Sequence, residues 1–379
     1  MKKYIALLIA TTLSINTTNI VFANNLLTNL DRSAAAVELP LLTIEEATRR
    51  AISNSLALRA MQDNIILSEE SSQRVRDQMF RPMVDVTQVI AWQANLMRAE
   101  AARAASLNNI DAQRDTLEFI VHRHFANIVM AENEIILFES SLNLARRDID
   151  IMRVKLELGM VSAAEYNIAN LNYEALLNER TALQNALLDA HRELNRLIGL
   201  PEDRVHRIEY TVDFEPLPSA FNLVGHISHS VANNVHVVNA RGQSATARFE
   251  YENHRSQVDM ITGMVIPGGP TRTEREIAYT QASRDAREAR DRVENMVNDM
   301  YNQINSLELS INTLHIQLRL AYAELSLRSA LFEAGQITRT ELDRLEHNMI
   351  TLEENIRRLE VNHSLVVMQF LNPNIGVGF

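Results

Sequence analysis

Apolar residues recur every seven positions along two stretches of this chain. In the first, Val121, Ile128, Ile135, Leu142, Ile149 and Leu156 form one line, flanked three residues on by Ala131, Phe138, Ala145 and Met152. In the second, Val297, Ile304, Ile311, Leu318, Leu325 and Phe332 do the same, flanked by Met300, Leu307, Leu314 and Ala321. The two trains superimpose at a constant shift of 176 residues. A strict seven-residue repeat implies slightly under-wound helices meeting along a left-handed coiled-coil seam. Neither Gly nor Pro occurs between Met83 and Leu158, from Met160 to Ile198, or from Thr271 to Ala334. The pattern predicts six main helices, at 43–80, 84–158, 162–198, 226–262, 272–334 and 338–371. At about 1.5 Å per residue the two longest span roughly 110 and 95 Å, too long for the core of a compact domain.

The same shift relates two turns. Leu156-Glu157-Leu158-Gly159-Met160-Val161-Ser162-Ala163-Ala164-Glu165 reappears as Phe332-Glu333-Ala334-Gly335-Gln336-Ile337-Thr338-Arg339-Thr340-Glu341. Each reads as a helix, a glycine stop needing positive φ, a Ser/Thr cap and a second helix. Thr43–Glu46, Ser162–Glu165, Thr273–Glu276 and Thr338–Glu341 all have the S/T-x-x-E form of a capping box. Helices 43–80 and 162–198 together hold about as many residues as 84–158, so stacked end to end they match its length, and the second half repeats the arrangement. A weaker duplication, shifted by 179, relates Ser53-Asn54-Ser55-Leu56 to Ala232-Asn233-Asn234-Val235. The expected fold is all-α, with little or no β-structure: duplicated long antiparallel coiled-coil hairpins at 43–200 and 222–372, joined by a crossover at 201–221 that holds at most one short strand, with a tail at 373–379.

Lys2 and Lys3, an apolar run from Tyr4 to about Leu13, and Val21-Phe22-Ala23 read as a cleavable export leader over 1–23, followed by an extension over 24–42. The apolar run is too short to span a bilayer. Losing that leader moves the formal charge from −11 to −13, since it holds two lysines and no acid. An acidic surface argues against nucleic acid or anionic lipid as partners. The chain has no cysteine, which excludes disulfides and thiolate metal sites. His122 and His124 are two apart and point roughly 160° from each other on a helix, so they do not form the i, i+4 zinc pair. His124 reads as a seam histidine. His226 and His229 could share a face but lack a third ligand nearby. The run Arg284–Arg292 alternates with acids and reads as a solvated helix surface. Trp92 fits either packing or an interfacial anchor. No phosphate loop or hydrolase elbow occurs, and neither enzyme, cofactor nor metal is expected.

The leader, the duplicated halves, the long and paired short helices and the two G-x-[VI]-[ST]-x-x-E turns resemble the TolC family of outer membrane efflux proteins. The resemblance covers roughly residues 40–372. It implies a homotrimer forming a helical tunnel, the outer component of a tripartite efflux or secretion system in the outer membrane and periplasm. In that arrangement a membrane fusion (adaptor) protein docks at the turns, on Gly159, Met160, Val161 and Ser162 and on Gly335, Gln336, Ile337 and Thr338, and links the tunnel to an inner-membrane pump. Glu341 matches the first acidic gate position, Glu165 is its counterpart, and Arg344 replaces the next acid. Three such carboxylates converging on an axis would raise one another's pKa. Ile337 stands where the family's locking arginine would be. Family members also insert two β-strands per repeat. Met83–Ile90 and Val258–Ile266 are the only candidates here, and neither place holds two strands of about 9–11 residues, so a reduced or lost barrel is expected. A coiled-coil envelope protein without a lumen is the alternative; an adaptor would need β-modules that this chain has no strands to build.

Overall fold

The computed structural model describes residues 39–78, 86–253 and 271–375. Among them are eight helices and one minimal sheet. The first half holds β1 (Leu41–Leu42), α1 (Ile44–Asn54), α2 (Leu56–Asp77), α3 (Val86–Glu157) and α4 (Ala163–Ile198). The second follows β2 (Arg207–Ile208) with α5 (Leu223–Asn233), α6 (Val235–Glu252), α7 (Arg272–Glu333) and α8 (Arg339–Leu371). α3 has 72 residues and α7 has 62, about 108 and 93 Å.

The helices form a wall rather than a bundle. From the two turns to mid-height the packing order is α4–α3–α8–α7, and beyond mid-height it is α2–α3–α6–α7. The short helices total nearly the length of their long neighbour: 11, 22 and 36 residues beside 72, and 11, 18 and 33 beside 62. The seven-residue trains lie in the seams. Val121, Ile128, Ile135, Val297, Ile304 and Ile311 are fully buried, whereas Ile149, Leu156, Leu325 and Phe332 near the turns are half-buried.

Two of the six expected helices are broken. The 43–80 helix stops at Asn54 and restarts at Leu56; the 226–262 helix begins earlier, at Leu223, stops at Asn233 and restarts at Val235. Ser55 (ψ 111°) and Asn234 (ψ 127°) leave helical geometry and cap the following helix. Ser55 Oγ accepts from Leu58 N, and Asn234 Oδ1 accepts from His236 N and Val237 N. The 179-residue similarity is therefore a duplicated helix break, made by polar caps without Gly or Pro. The expected box at Thr273–Glu276 is also displaced. Thr271 caps α7 and exchanges both bonds with Glu274, two residues earlier in the chain. At Thr43 only half of the expected box forms: Thr43 Oγ1 accepts from Glu46 N (3.3 Å), while Glu46 Oε1 accepts from Arg50 four residues on instead of from the cap N–H.

Each half has its densest core at mid-height, where the short helices end against the long one. Leu42, Ala47, Ala51, Val121, Phe125, Ile128, Leu194 and Ile198 form the first. Val231, Val237, Val293, Val297, Ile304, Val366 and Phe370 lie in the second. Gly199 adopts φ +70° beneath Asn54, whose amide donates to Arg196 O (3.3 Å) and Leu197 O (3.1 Å), carbonyls left free at the end of α4. A Cβ there would stand 2.9 Å from the Asn54 side chain. In the second half Asn234 donates to Pro373 O (2.6 Å), Asn374 Oδ1 receives Val235 N (2.9 Å), and Ile375 is buried, so the start of the 373–379 tail docks on the helix break.

The crossover binds the halves together. Its strand pairs in parallel with Leu41–Leu42. Tyr210 packs edge-on against Phe125 and His122 of α3, Phe214 against His363 of α8, and Leu217 N donates to Glu308 of α7 (2.7 Å). Met83–Ile90 is not a strand over its described part, because Val86–Ile90 is the start of α3. The rest of the expected barrel reduction falls on 79–85 and 254–270, outside the described residues, as does the leader. No described helix is long and apolar enough to cross a membrane.

Asn195 is fully buried at the crossover's root. Its amide donates to Arg204 O (2.6 Å), which leaves Oδ1 to accept from His206 Nε2 (2.8 Å) and sets that ring as the Nε2–H tautomer. His191 beside it is pushed down to about 4 by burial, with His206 adding to the effect. The unfolded state binds a proton here near pH 6.5 and the folded state does not. Stability is therefore complete above that value and declines as the pH falls towards 4. At pH 5 the loss from His191 is about 2 kcal/mol. Denaturant titrations at pH 7.5 and 5 should show this difference in the wild type and a smaller one in His191→Phe; an unchanged difference in the variant would contradict the assignment.

Candidate functional site

The two turns superimpose in their hydrogen bonds as well as in sequence. Gly159 and Gly335 take φ +69° and +71°. Met160 N reaches Lys155 O (2.8 Å) and Gln336 N reaches Leu331 O (2.9 Å), the six-to-one bond of a Schellman motif. Nothing lies within 4 Å of a Cβ built on either glycine, so the requirement for glycine is the left-handed backbone alone.

Both expected capping boxes close. Ser162 N donates to Glu165 Oε2 (2.7 Å) and Glu165 N returns to Ser162 Oγ (3.2 Å). Thr338 N donates to Glu341 Oε2 (2.8 Å) and Glu341 N to Thr338 Oγ1 (3.3 Å). The cap N–H, then the cap hydroxyl, holds each carboxyl below the usual carboxylate range; Arg328 and Arg344 add to this at Glu341. Within one copy the shift is thus opposite to the one that crowding on an axis would cause. Both carboxylates are fully solvated and ionised. Arg344 extends towards Asp148 of α3 (3.7 Å), so the basic residue in the second gate position already faces an acid.

The turns differ in surface chemistry. Leu158 and Met160 of the first are more than two-thirds exposed, and Val154 and Ile151 continue that apolar strip up α3. The second presents Ala334 and Gln336 at the matching positions, with Ile337 half-buried.

The residue that ties the two turns together is one the sequence did not single out. Asp343 is buried, 6% exposed in its side chain, between α8 and α3. It pairs with Arg147 of α3, and Arg339 Nε donates to its other oxygen (2.8 Å). Arg339 also lies over the Phe332 ring, the last apolar residue of α7's train (5.8 Å). An open groove of about 380 Å³ runs beside this cluster, lined by Arg147, Asp150, Ile151, Arg339, Thr340 and Asp343. The Arg339/Asp343 spacing of four was visible in sequence; the arginine from α3, 196 residues away from Asp343, was not. Higher on the same seam His347 bonds Ser140 (3.0 Å).

The remaining candidates have structural partners. His226 Nε2 bonds Phe370 O (2.8 Å) and His229 packs with Asn233, so that pair does not converge. His124 lies 3.9 Å from Glu193 in the α3–α4 seam, and burial lowers its pKa, as it does for His122. Trp92 Nε1 donates to Val75 O (2.6 Å), which makes it a packing residue between α2 and α3. In the arginine-rich run Arg290 pairs with Glu294 four residues on (2.6 Å). No group of three metal-ligating side chains occurs among the described residues.

Breaking the buried pair should loosen the turns. Arg147→Met and Asp343→Asn are each expected to cost about 2 kcal/mol, and the double variant little more than either alone. Chemical unfolding of the four proteins checks this; fully additive losses would show that the pair is not coupled.

No family model matches the chain, and no curated protein matches it by sequence. Solved structures do match it in shape. A membrane protein from Pseudomonas aeruginosa aligns at TM-score 0.65 with 13% identity, over 89% of this chain and 91% of that one. The outer membrane protein VceC of Vibrio cholerae aligns at 0.63 with 12% identity, over 87% and 96%. The CmeC outer membrane channel of Campylobacter jejuni aligns at 0.60 with 11% identity, over 87% and 85%. At such identities the likeness is one of architecture, and it agrees with the turns, seams and duplicated halves: the chain has the fold of the TolC-type outer membrane channels.

Proposed function

We propose that three copies of this chain close into a helical export tunnel, the outer component of a tripartite efflux or secretion system in the cell envelope. One observation carries the reading. The protomer is a wall one helix thick, about 100 Å tall, and along its lower half α4 and α7 stand at the two edges with neighbours on one side only. One such wall encloses nothing; repeated about an axis, it encloses a bore. The shared fold with outer membrane channels supports this.

In this reading both turns lie at one end of the tunnel, and an adaptor docks there on Gly159–Ser162 and Gly335–Thr338. The apolar Leu158 and Met160 supply contact area, and the inner-membrane pump supplies the energy. Glu165 and Glu341 line the constriction as ionised, cap-held carboxylates, with Arg344 drawn aside by Asp148.

Native mass spectrometry of residues 24–379 tests the assembly. Three chains are expected. A stable monomer or dimer across detergent and buffer conditions would overturn the tunnel in favour of a brace without a lumen. Met160→Asp should leave the trimer intact while reducing export in cells that depend on this protein; full export would remove the first turn from the docking surface.

A further inference from the structure

The crossover is fastened at each end beside histidines. At its root His206 bonds Asn195 of α4, and His191 of the same helix lies next to it, both rings buried. Close by, Tyr210 packs edge-on against His122 of α3, with ring centres 6.0 Å apart. At the far end Phe214 packs against His363 of α8 (5.0 Å), and Leu217 N donates to Glu308 of α7, which His363 also approaches (3.3 Å). These anchors divide by the half they hold. The root grips the first half through α4, α3 and β1, where Arg207 N donates to Pro40 O (3.1 Å). The far end grips the second half. Tyr210 marks the boundary, since its hydroxyl also bonds Ser364 of α8.

A proton acts oppositely on the two sets. His191 Nδ1 is buried with no hydrogen-bond partner among the described residues, so a proton there would be a stranded charge beside His206. Around His206 stand Arg204 of the crossover and Arg50 of α1, which repel a proton, and Glu46, whose carboxylate already pairs with Arg50 (2.8 Å). His122 faces Glu118 of its own helix and Glu45 of α1; its neighbour His124 faces Arg123 and Glu193. Burial outweighs these acids and lowers the pKa of His191, His206 and His122 alike, so the docked root favours neutral rings. At the far end the carboxylates of Glu308 and, on α8 itself, Glu360 face His363, so a proton there completes an ion pair.

We propose that the crossover is an acid-released strap: protons taken up by His191, His206 and His122 free its root from the first half and part β2 from β1, while Glu308 and His363 keep its far end on the second half. This goes beyond the tunnel reading and does not depend on it. The join between the halves becomes pH-dependent, and in acid the α3–α8 and α3–α6 seams hold the halves in register. His191 alone, moving from the model value 6.5 when freed to about 4 when docked, favours release roughly thirtyfold more at pH 5 than at pH 7.5.

Hydrogen–deuterium exchange of the mature protein, read by mass spectrometry and corrected for the intrinsic pH dependence of exchange, tests the strap. From pH 7.5 to pH 5, protection over 204–209 should fall roughly tenfold or more, with 214–218 and the α7–α8 core unchanged. His191→Phe and, separately, His122→Phe keep a ring without a titrating nitrogen, and each should narrow that fall. Unchanged protection at the root would overturn the proposal. Equal loss at both ends would also overturn it, because that is general unfolding and no strap. A fall in both variants as large as in the wild type would remove these histidines as its cause and the proposal with them.

Discussion

A row of Leu, Ile and Val repeating every 3.5 residues is the interaction on which this molecule depends. A long helix can bury such a row only against another long helix running beside it, and each buried branched side chain contributes roughly 1.5–3 kcal/mol. α3 spends one face on α4 and the next on α8, and α8 spends its other face on α7. Stacking in one direction makes a wall. The polar groups follow from this constraint, because they occur where a row ends: glycine and a capping box at each turn, Asn54 over the last carbonyls of α4, and Asn234 against the tail.

The wall is not uniform along its height. At mid-height the short helices, the two-residue strands and the crossover meet in well-packed cores, with Phe125 and Phe370 wholly buried. Towards the turns the seams thin to half-buried residues, and a charged cluster around Asp343 replaces apolar packing. A buried ion pair sets geometry more than it adds stability, since its desolvation offsets most of its attraction. The end where a partner would dock is thus held by directional contacts, and the middle by area.

Much of this was legible in the sequence, for reasons that differ by feature. The seven-residue rows and the G-x-[VI]-[ST]-x-x-E turns are local signals, so α3, α4, α7, α8 and the caps at Ser162 and Thr338 stand close to where they were expected. The breaks at Ser55 and Asn234 were hidden because neither Gly nor Pro marks them; a polar cap interrupts a helix with no composition signal, and only the repeat at 179 hinted at it. Thr271 won over Thr273 because both begin an S/T-x-x-E match and only coordinates show which hydroxyl is at the helix start. Leu41–Leu42 pairing with the crossover, and Arg147 reaching Asp343, join residues more than 160 positions apart, where spacing carries no information. The chemistry of the two carboxylates was half-read: their cap role is local and visible, and any role on an axis belongs to an assembly of copies.

The central claim is that the walls of several copies curve round a hollow. A cryo-electron-microscopy reconstruction of the mature protein, sectioned across the lower half, tests it most directly. The account predicts twelve helices, four from each of three chains, around an open bore, in the repeating order α4, α3, α8, α7. A filled bundle, or a section in which helices occupy the axis, would contradict it.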